Sequence, residues 1–548
     1  MLILLNALWF IFELKFILFW LYLWQLKEYH IGRFADHFRT HKGKKLLFDS
    51  AQILKLALLV FLLAGNNLFV YVFSFLTLIY FVELIIFLRS IFIKSFKKPV
   101  ITVKTIFLIS VSFGILIIFL VWTLQFYNEL QISWLVAFDI LTPLIISAVV
   151  LFFQPFFVAI RNNTLRKAKI KIKKIKDVSG LKVIAITGSY GKTSTKEFLI
   201  KILSAKFKVL ATTEHQNAEI GIAKCILENL QPSHQVFIAE VAAYDKGKVK
   251  EVCNILQPKI GIVTGVNEQH LSVFGSMKNL LSGEGGGELA EVLQKDGILI
   301  VNGDNKHCLD LVRKYPSTQL RAKFYSLTNK ILNSDIWADE ITIHKNYISF
   351  VAVEKAGEVA HFDAKVLGKH NIQNLLGAIL IAKELGMTFG EISGACKNIA
   401  EGEGGMVLKQ GKHGIDIIDS SYSANPDGVF ADLDYLSIYP NKKIIIMPCL
   451  IELGEKSSEI HEKIGKKIAE ICDMAIITSK DKFIELEKGF KSVQDDDILR
   501  RSGKNVAKCI LCDDSQEIYS AITLFCKSGD AVLLEGRVPK GLLNLLTE

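Results

Sequence analysis

Lys192, Thr193 and Ser194 stand directly after a short glycine loop, Gly188-Ser189-Tyr190-Gly191. That order suits phosphate. Glycines let backbone N–H groups approach phosphate oxygens, and a helix N-terminus favours negative charge. The lysine reaches the β/γ-phosphates of a nucleotide such as ATP, and the next hydroxyl sits on Mg²⁺. The apolar run Val183–Ile186 before the loop reads as a buried strand, and Thr195–Leu203 after it as an amphipathic helix. The spacing is GxxGKT, without the first glycine of the longer Walker pattern, so a structural turn is the alternative reading.

Further candidates stand at the ends of predicted strands, where open α/β sheets place their ligands. Glu240 ends the run Val236–Glu240, and a carboxylate there can hold Mg²⁺ together with Thr193. His270 lies in a polar loop after the strand Lys259–Thr264 and suits either a second metal or a phosphate. Asp419 leads into Ser420-Ser-Tyr422-Ser-Ala-Asn425-Pro426-Asp427. Such a loop suits the sugar or base of a nucleotide, but is also an ordinary turn.

These candidates need a sheet to hold them. After Gly188 the chain alternates strands and helices, with Gly297–Val301 as a further strand and a hairpin at Ile341–His344 and Tyr347–Val353. Residues 371–386 read as a helix stopped by Gly386. A second block has strands Ile415–Ile418, Lys443–Met447, Met474–Ile477 and Ala531–Leu534. The pattern predicts two α/β domains, 176–399 and 400–548, with the Gly/Glu-rich stretch 400–405 as hinge.

Residues 1–160 differ in kind. Apolar runs at 3–24, 52–88, 105–124 and 134–157 predict a multi-pass α-helical membrane segment of five spans, with Gly65-Asn66-Asn67 turning inside the longest run. The first run lacks the basic start and small-residue cleavage site of a signal peptide. Five spans put every basic stretch on one side, which the positive-inside rule makes cytoplasmic, together with the glycine loop. The formal charge of +10 therefore reads as membrane topology and argues against a nucleic-acid partner. Glu13, Lys15, Glu83 and Asp139 fall in or near the spans, where an ionisable residue is a functional candidate. The nine cysteines, with one isolated Cys509-x-x-Cys512, read as free thiols.

Several stretches together resemble the Mur ligases, the ATP-dependent amide-bond ligases of peptidoglycan precursor synthesis. They are TGSYGKTSTKE at 187–197, Asn217-x-x-Ile220-Gly221, Glu240, Asn267-x-x-His270 through Ser276, and Asn302-Gly-Asp304-Asn305. Gly368-Lys-His370-Asn371-x-x-Asn374, Asp419 through Asp427 and Glu452-Leu-Gly454 complete the series. The resemblance implies a P-loop central domain and a Rossmann-like C-terminal domain. It implies a carboxylate, phosphorylated by ATP to an acyl phosphate, that an amine then attacks to give an amide, ADP and phosphate. The expected partners are a UDP-muramoyl peptide or related precursor and D-alanyl-D-alanine or another amine. Gly188, Ser189, Gly191, Lys192, Thr193 and Ser194 would hold the ATP phosphates, and Thr193, Glu240 and His270 the Mg²⁺ ions. Asn302, Asp304, His370 and Asn371 would lie on the adenine and ribose side. Asp419 and Asn425 would close over from the C-terminal domain.

The chain departs from that pattern. A membrane segment stands where the family has a small UDP-binding domain. The family's carbamylated lysine falls at Glu284 or Gly286, within Gly283-Glu284-Gly-Gly-Gly287, which holds no lysine and predicts a broken helix. Gly404-Gly405, Asp419-Ser420, Pro448-Cys449 and Glu535 replace charged family positions. Two other readings stay open: a ligase acting on a lipid-linked or other donor, and an ATP-binding membrane scaffold of a wall-synthesis complex with impaired turnover.

Overall fold

The computed structural model describes residues 2–547 except 48–49, 64–68, 94, 127, 214–215, 294–295, 316–319, 329–333, 401–404, 423 and 495–506. Gly65-Asn66-Asn67 and most of the expected hinge at 400–405, Gly404 included, lie outside the described residues. The chain divides into two units, Met1–Asn162 and Asn163–Glu548.

The first unit is helical. Its long helices are α1 (Leu2–Leu26), α2 (Ser50–Leu63), α3 (Phe69–Phe92), α4 (Val103–Thr123) and α5 (Asn128–Ser179). Among the described residues, five helices are long and apolar enough to cross a membrane. Trp9, Trp24, Leu76, Tyr80, Leu108 and Leu135 form its interior, while many large apolar side chains, among them Phe92, Ile118 and Phe152, face outward. Thr102 caps α4 in a reciprocal box with Thr105, which sets where that helix begins. The last span was expected to end at 157, but α5 continues to Ser179. From Asn163 on the helix belongs to the second unit, and there Leu165, Ala168, Ile172 and Ile175, at helical spacing, are part of that unit's own core.

The second unit holds two sheets. The larger has the order β2-β3-β1-β4-β5-β6-β7-β8-β9. Here β1 is Lys182–Thr187, β2 Val209–Ala211, β3 Val236–Glu240, β4 Ile260–Val263, β5 Ile298–Asn302, β6 Arg321–Ser326, β7 Ile336–Ile343, β8 Ile348–Glu354 and β9 Val359–Ala364. Pairing is parallel through β7 and antiparallel from β7 to β9. Strands β1, β3 and β4 are almost wholly apolar because helices cover both faces. The smaller sheet has the order β10-β11-β15-β12-β13-β14. Its strands are β10 Val407–Gln410, β11 Asp416–Ser420, β12 Lys443–Met447, β13 Met474–Ile477, β14 Lys508–Leu511 and β15 Ala531–Glu535, all parallel except β10.

Three helices position the site: α6 (Lys192–Ser204), α7 (His370–Glu384) and α8 (Pro426–Leu436). Helix α6 starts at Lys192, a turn earlier than its apolar face implies, because Gly191 at φ 75° makes the turn from loop to helix. Residues 283–286 separate two short helices, Met277–Ser282 and Gly287–Val292, in keeping with the low helix propensity of glycine.

Candidate active site at the glycine loop

Strand β1 lies between β3 and β4, so the loop after it opens at the carboxyl edge where the strand order reverses. Two of its glycines are required. A Cβ on Gly188, at φ 139°, would lie 2.3 Å from Thr264 Oγ1, and one on Gly191 would lie 2.5 Å from Asn374 Oδ1. The Ser189 N–H donates to Gly265 O at 2.7 Å, which ties the loop to the end of β4.

Two polar sets converge on α6. In the first, Thr193 Oγ1 lies 3.2 Å from both carboxylate oxygens of Glu240. Asn217 Nδ2 donates to Glu240 Oε1 at 3.2 Å, and Lys196 Nζ stands 3.3 Å from Oε2. In the second, Lys192 Nζ donates to Gly188 O and lies 3.8 Å from Glu284 Oε1. His270 Nδ1 is 3.1 Å from Glu284 Oε2, and this contact orients the ring. Glu284 is fully buried, and its Oε1 accepts no hydrogen bond. Burial alone would push this carboxyl up. His270 and Lys192 beside it outweigh burial and hold it below the usual carboxylate range.

The C-terminal part closes the second set. His270 Nε2 lies 3.7 Å from Glu452 Oε2, and the Ser272 N–H donates to Glu452 O at 3.0 Å. His270 (φ 64°) and Glu452 (φ 66°) both have left-handed backbone, which is uncommon for non-glycine residues and gathers at functional sites. Asn267 Nδ2 donates to Asn425 Oδ1 at 3.1 Å and to Asp427 Oδ2 at 2.6 Å. Asn425 also caps α8, so one side chain fixes a helix start and meets the loop after β4.

Other expected residues are engaged elsewhere. Asn302 is buried and donates to Thr264 O at 3.0 Å; Asn371 is buried and donates to Leu367 O at 2.8 Å. Both amides are thus committed to backbone carbonyls inside the domain. Asp304 Oδ2 accepts from the Leu327 N–H and from Gln373 Nε2, each at 2.7 Å. His370 starts α7; burial pushes its imidazole down, and its Nδ1 has no hydrogen-bond partner. Ser194 lies in the first turn of α6. Asp419 turns to Lys409 Nζ at 2.8 Å and to Ser421, which offset its burial and hold its carboxyl low.

Sequence reading did not single out Lys196, Asn217 or Glu452 as site residues. Lys196 had a signal, since it follows Lys192 by four residues and shares its helix face. Asn217 and Glu452 stand in stretches that carry the family resemblance, but no local pattern pairs Glu452 with His270, because that approach depends on how the two sheets meet.

The donor chemistry fits Mg²⁺. Among the described residues no three His, Cys, Asp or Glu side chains form a ready metal cluster. Mg²⁺ does not need one, since it binds through one or two carboxylates plus water and substrate phosphates. Thr193 with Glu240 offers hard oxygens, and Glu284 offers a buried carboxylate oxygen without a hydrogen-bond partner.

Fold and site thus define an α/β protein with a glycine loop of the phosphate-binding type. The chain belongs to the Mur ligase family: residues 186–382 match the Mur ligase middle domain, and residues 406–538 match the Mur ligase, glutamate ligase domain. The chain is similar to the UDP-N-acetylmuramoyl-tripeptide–D-alanyl-D-alanine ligases of Escherichia coli and Borreliella burgdorferi. The first is 28% identical over 285 residues, 52% of this chain and 61% of the relative. The second is 29% identical over 338 residues, 61% of this chain and 66% of the relative. The chain thus spans about six tenths of the length of the curated relatives it matches. Among solved structures, MurF from Acinetobacter baumannii shares the fold with TM-score 0.60 and 22% identity, over 70% of this chain and 79% of that one. MurF ligase from Thermotoga maritima in complex with ADP does so with TM-score 0.58 and 21% identity, over 70% and 83%.

Proposed function

We propose that the chain is an ATP-dependent amide-bond ligase that adds D-alanyl-D-alanine to a UDP-muramoyl tripeptide in peptidoglycan precursor synthesis. The observation that carries this reading is the convergence of Lys192, His270 and buried Glu284 beside the glycine loop, within a chain of the Mur ligase family. ATP is the phosphoryl donor. Lys192 and the loop N–H groups neutralise the transferring phosphate, which needs charge compensation more than covalent help. Thr193 and Glu240 would hold one Mg²⁺, and His270 and Glu284 a second; bound there, Mg²⁺ would supply positive charge to the phosphate oxygens.

Glu284 takes over the negative charge that the carbamylated lysine supplies in the family pattern. The donor carboxylate attacks the γ-phosphate, ADP leaves, and the acceptor amine displaces phosphate from the acyl phosphate with loss of a proton. Asn267, Asn425, Asp427, His270 and Glu452 hold the C-terminal domain against the site, which keeps water from hydrolysing the acyl phosphate. Asp419, paired with Lys409 near the carboxyl end of β11, would act on the closed complex from the C-terminal domain.

We further propose a three-part chain: five membrane spans over 1–160, the middle domain over 176–399 and the C-terminal domain over 400–548. The ligase domains would face the cytoplasm at the plasma membrane. Five apolar helices also favour a second reading, in which the donor is lipid-linked.

The deciding test is ADP release by detergent-solubilised protein given UDP-muramoyl tripeptide and D-alanyl-D-alanine, beside a Lys192→Ala control. Release dependent on both substrates supports the first reading. Release only with a polyprenyl-linked donor supports the second. Release equal to the control with both donors overturns the ligase.

A further inference from the structure

The helical unit holds a second group of ionisable side chains, and the ligase reading does not use it. Asp139 on α5 accepts from Lys55 Nζ at 2.5 Å, Tyr80 Oη at 2.9 Å and Gln52 Nε2 at 3.2 Å. Its charge is therefore matched by Lys55 and its oxygens are filled. One turn further on α5, Thr142 Oγ1 donates to Glu13 Oε2 at 2.8 Å. Glu13 Oε1 has no hydrogen-bond partner, and both Glu13 and Lys55 are fully buried. The Lys55 ammonium lies 3.8 Å from the centre of the Phe12 ring and 4.8 Å from that of Tyr80, so it adjoins the helix turn that carries Glu13. Lys15 and Glu83 form a second matched pair at 2.8 Å. The titratable residue of α4, Lys104, is engaged with the rings of Tyr29 and Phe157.

The balance leaves Glu13 over. Lys15 answers Glu83 and Lys55 answers Asp139, and Glu13 is left with one neutral hydroxyl. Glu13 and Tyr80 lie near the middles of α1 and α3, and Asp139 about three turns into α5. If these helices span a bilayer, the group sits near its midplane, where an uncompensated carboxylate is strongly disfavoured. A cation needs several oxygen ligands. Glu13 has only Thr142 beside it and no exposed surface. A proton is the ligand that fits.

We infer that Glu13 is a proton-binding site in the core of the membrane segment, coupled to the choice Lys55 makes between carboxylates. With the proton on Glu13, Lys55 belongs to Asp139, as the structure shows. With the proton gone, Glu13 competes for the same ammonium. This inference rests on the reading of 1–160 as membrane-spanning.

The test uses the full chain reconstituted in phosphatidylcholine vesicles and treated with dicyclohexylcarbodiimide. That reagent adds the carboxyl oxygen and its proton across a C=N bond, and the adduct rearranges to a stable N-acylurea that peptide mass spectrometry locates. The expected result is an adduct on Glu13 that falls severalfold from acid to alkaline pH, is indifferent to exchanging NaCl for KCl, and is absent in Glu13→Gln. Lys55→Met should open a second adduct at Asp139. A Glu13 that stays unmodified at every pH, or that sodium protects, overturns the inference. The infrared band of a protonated carboxyl, lost in Glu13→Gln, checks the same point without the reagent. Alkaline carbonate washing separates the two readings: protein released from the vesicles sinks the membrane reading, whereas protein retained but unlabelled sinks the proton site alone.

Discussion

Glu284 in the middle domain and Glu535 in the C-terminal domain are both fully buried glutamates, and their surroundings are opposite. Glu284 has Lys192 Nζ at 3.8 Å and His270 Nδ1 at 3.1 Å, and its carboxyl is held low. Glu535 ends β15 beside Asp432, no donor reaches either of its oxygens, and the Ser420 hydroxyl is spent on Asp432 Oδ2 at 2.5 Å. Burial first, and Asp432 second, push the Glu535 carboxyl well above the usual range. A proton on one of the two acids supplies the missing donor. One buried glutamate is thus biased toward its charged form and the other toward its neutral form. Burial does not decide ionisation; the partner does, and only the charged one stands beside the glycine loop.

The largest effect should come from the charge that Glu284 faces. Lys192→Ala should lower kcat for ADP release at least about a hundredfold, since a preorganised cation at the phosphate is lost. Glu535→Gln should leave kcat within about twofold. Equal losses would break the comparison. Next, Glu284→Gln keeps the shape and removes the charge. The Mg²⁺ concentration for half-maximal ADP release should rise about 10- to 100-fold, the usual cost of disturbing a metal's surroundings. An unchanged Mg²⁺ requirement would mean that Glu284 acts on Lys192 alone.

A third change touches domain closure. Asn267→Ala removes both part-buried bonds, to Asn425 and Asp427, each worth about 0.5–1.5 kcal/mol. KM for the acceptor amine should rise about 5- to 30-fold, with ATP binding little changed. A loss of ATP affinity of the same size would place Asn267 in the nucleotide site instead.

The smallest effects are on stability, and their signs differ. Glu284 has a lowered folded-state pKa, so its contribution is present above the unfolded value of about 4.3 and lost as pH falls below it. Glu535 has a raised one, so its contribution is complete below about 4.3 and declines as pH rises toward the folded value. Glu535→Gln should flatten the alkaline fall of Tm by a few degrees, and Glu284→Gln should flatten only the acid fall. Both variants flattening the same limb would refute the contrast.

How much of this was legible in the sequence follows from what each signal depends on. Lys443–Met447 and Met474–Ile477 were read to the residue, because central parallel strands are continuous apolar runs between turns. Val209–Ala211 and Arg321–Ser326 carry no such run; they are half-exposed or interleaved with charge and were missed. The glycine loop was readable because strand, loop, lysine and hydroxyl are contiguous. His270 and Glu240 stand out as strand-end residues, and the structure brings Glu240 to α6 and His270 to Glu284. Asn302 and Asn371 were nominated by resemblance, and the structure adds that their amides are committed to carbonyl oxygens. The partnership of His270 with Glu284 and Glu452 joins residues far apart in the chain, and no local pattern encodes it.

The glycine turn at 283–287 has a practical consequence. A Cβ on Gly283 would come within 2.8 Å of Phe274, one on Gly285 within 2.5 Å of the Leu281 backbone, and one on Gly286 within 2.4 Å of Val263. The backbone here is drawn in so far that a short side chain reaches Lys192 and His270. Anyone engineering this position should treat the five residues as a cassette: a longer acid-bearing side chain grafted onto the same tight turn would overshoot, and Glu284 grafted onto an ordinary helix would fall short.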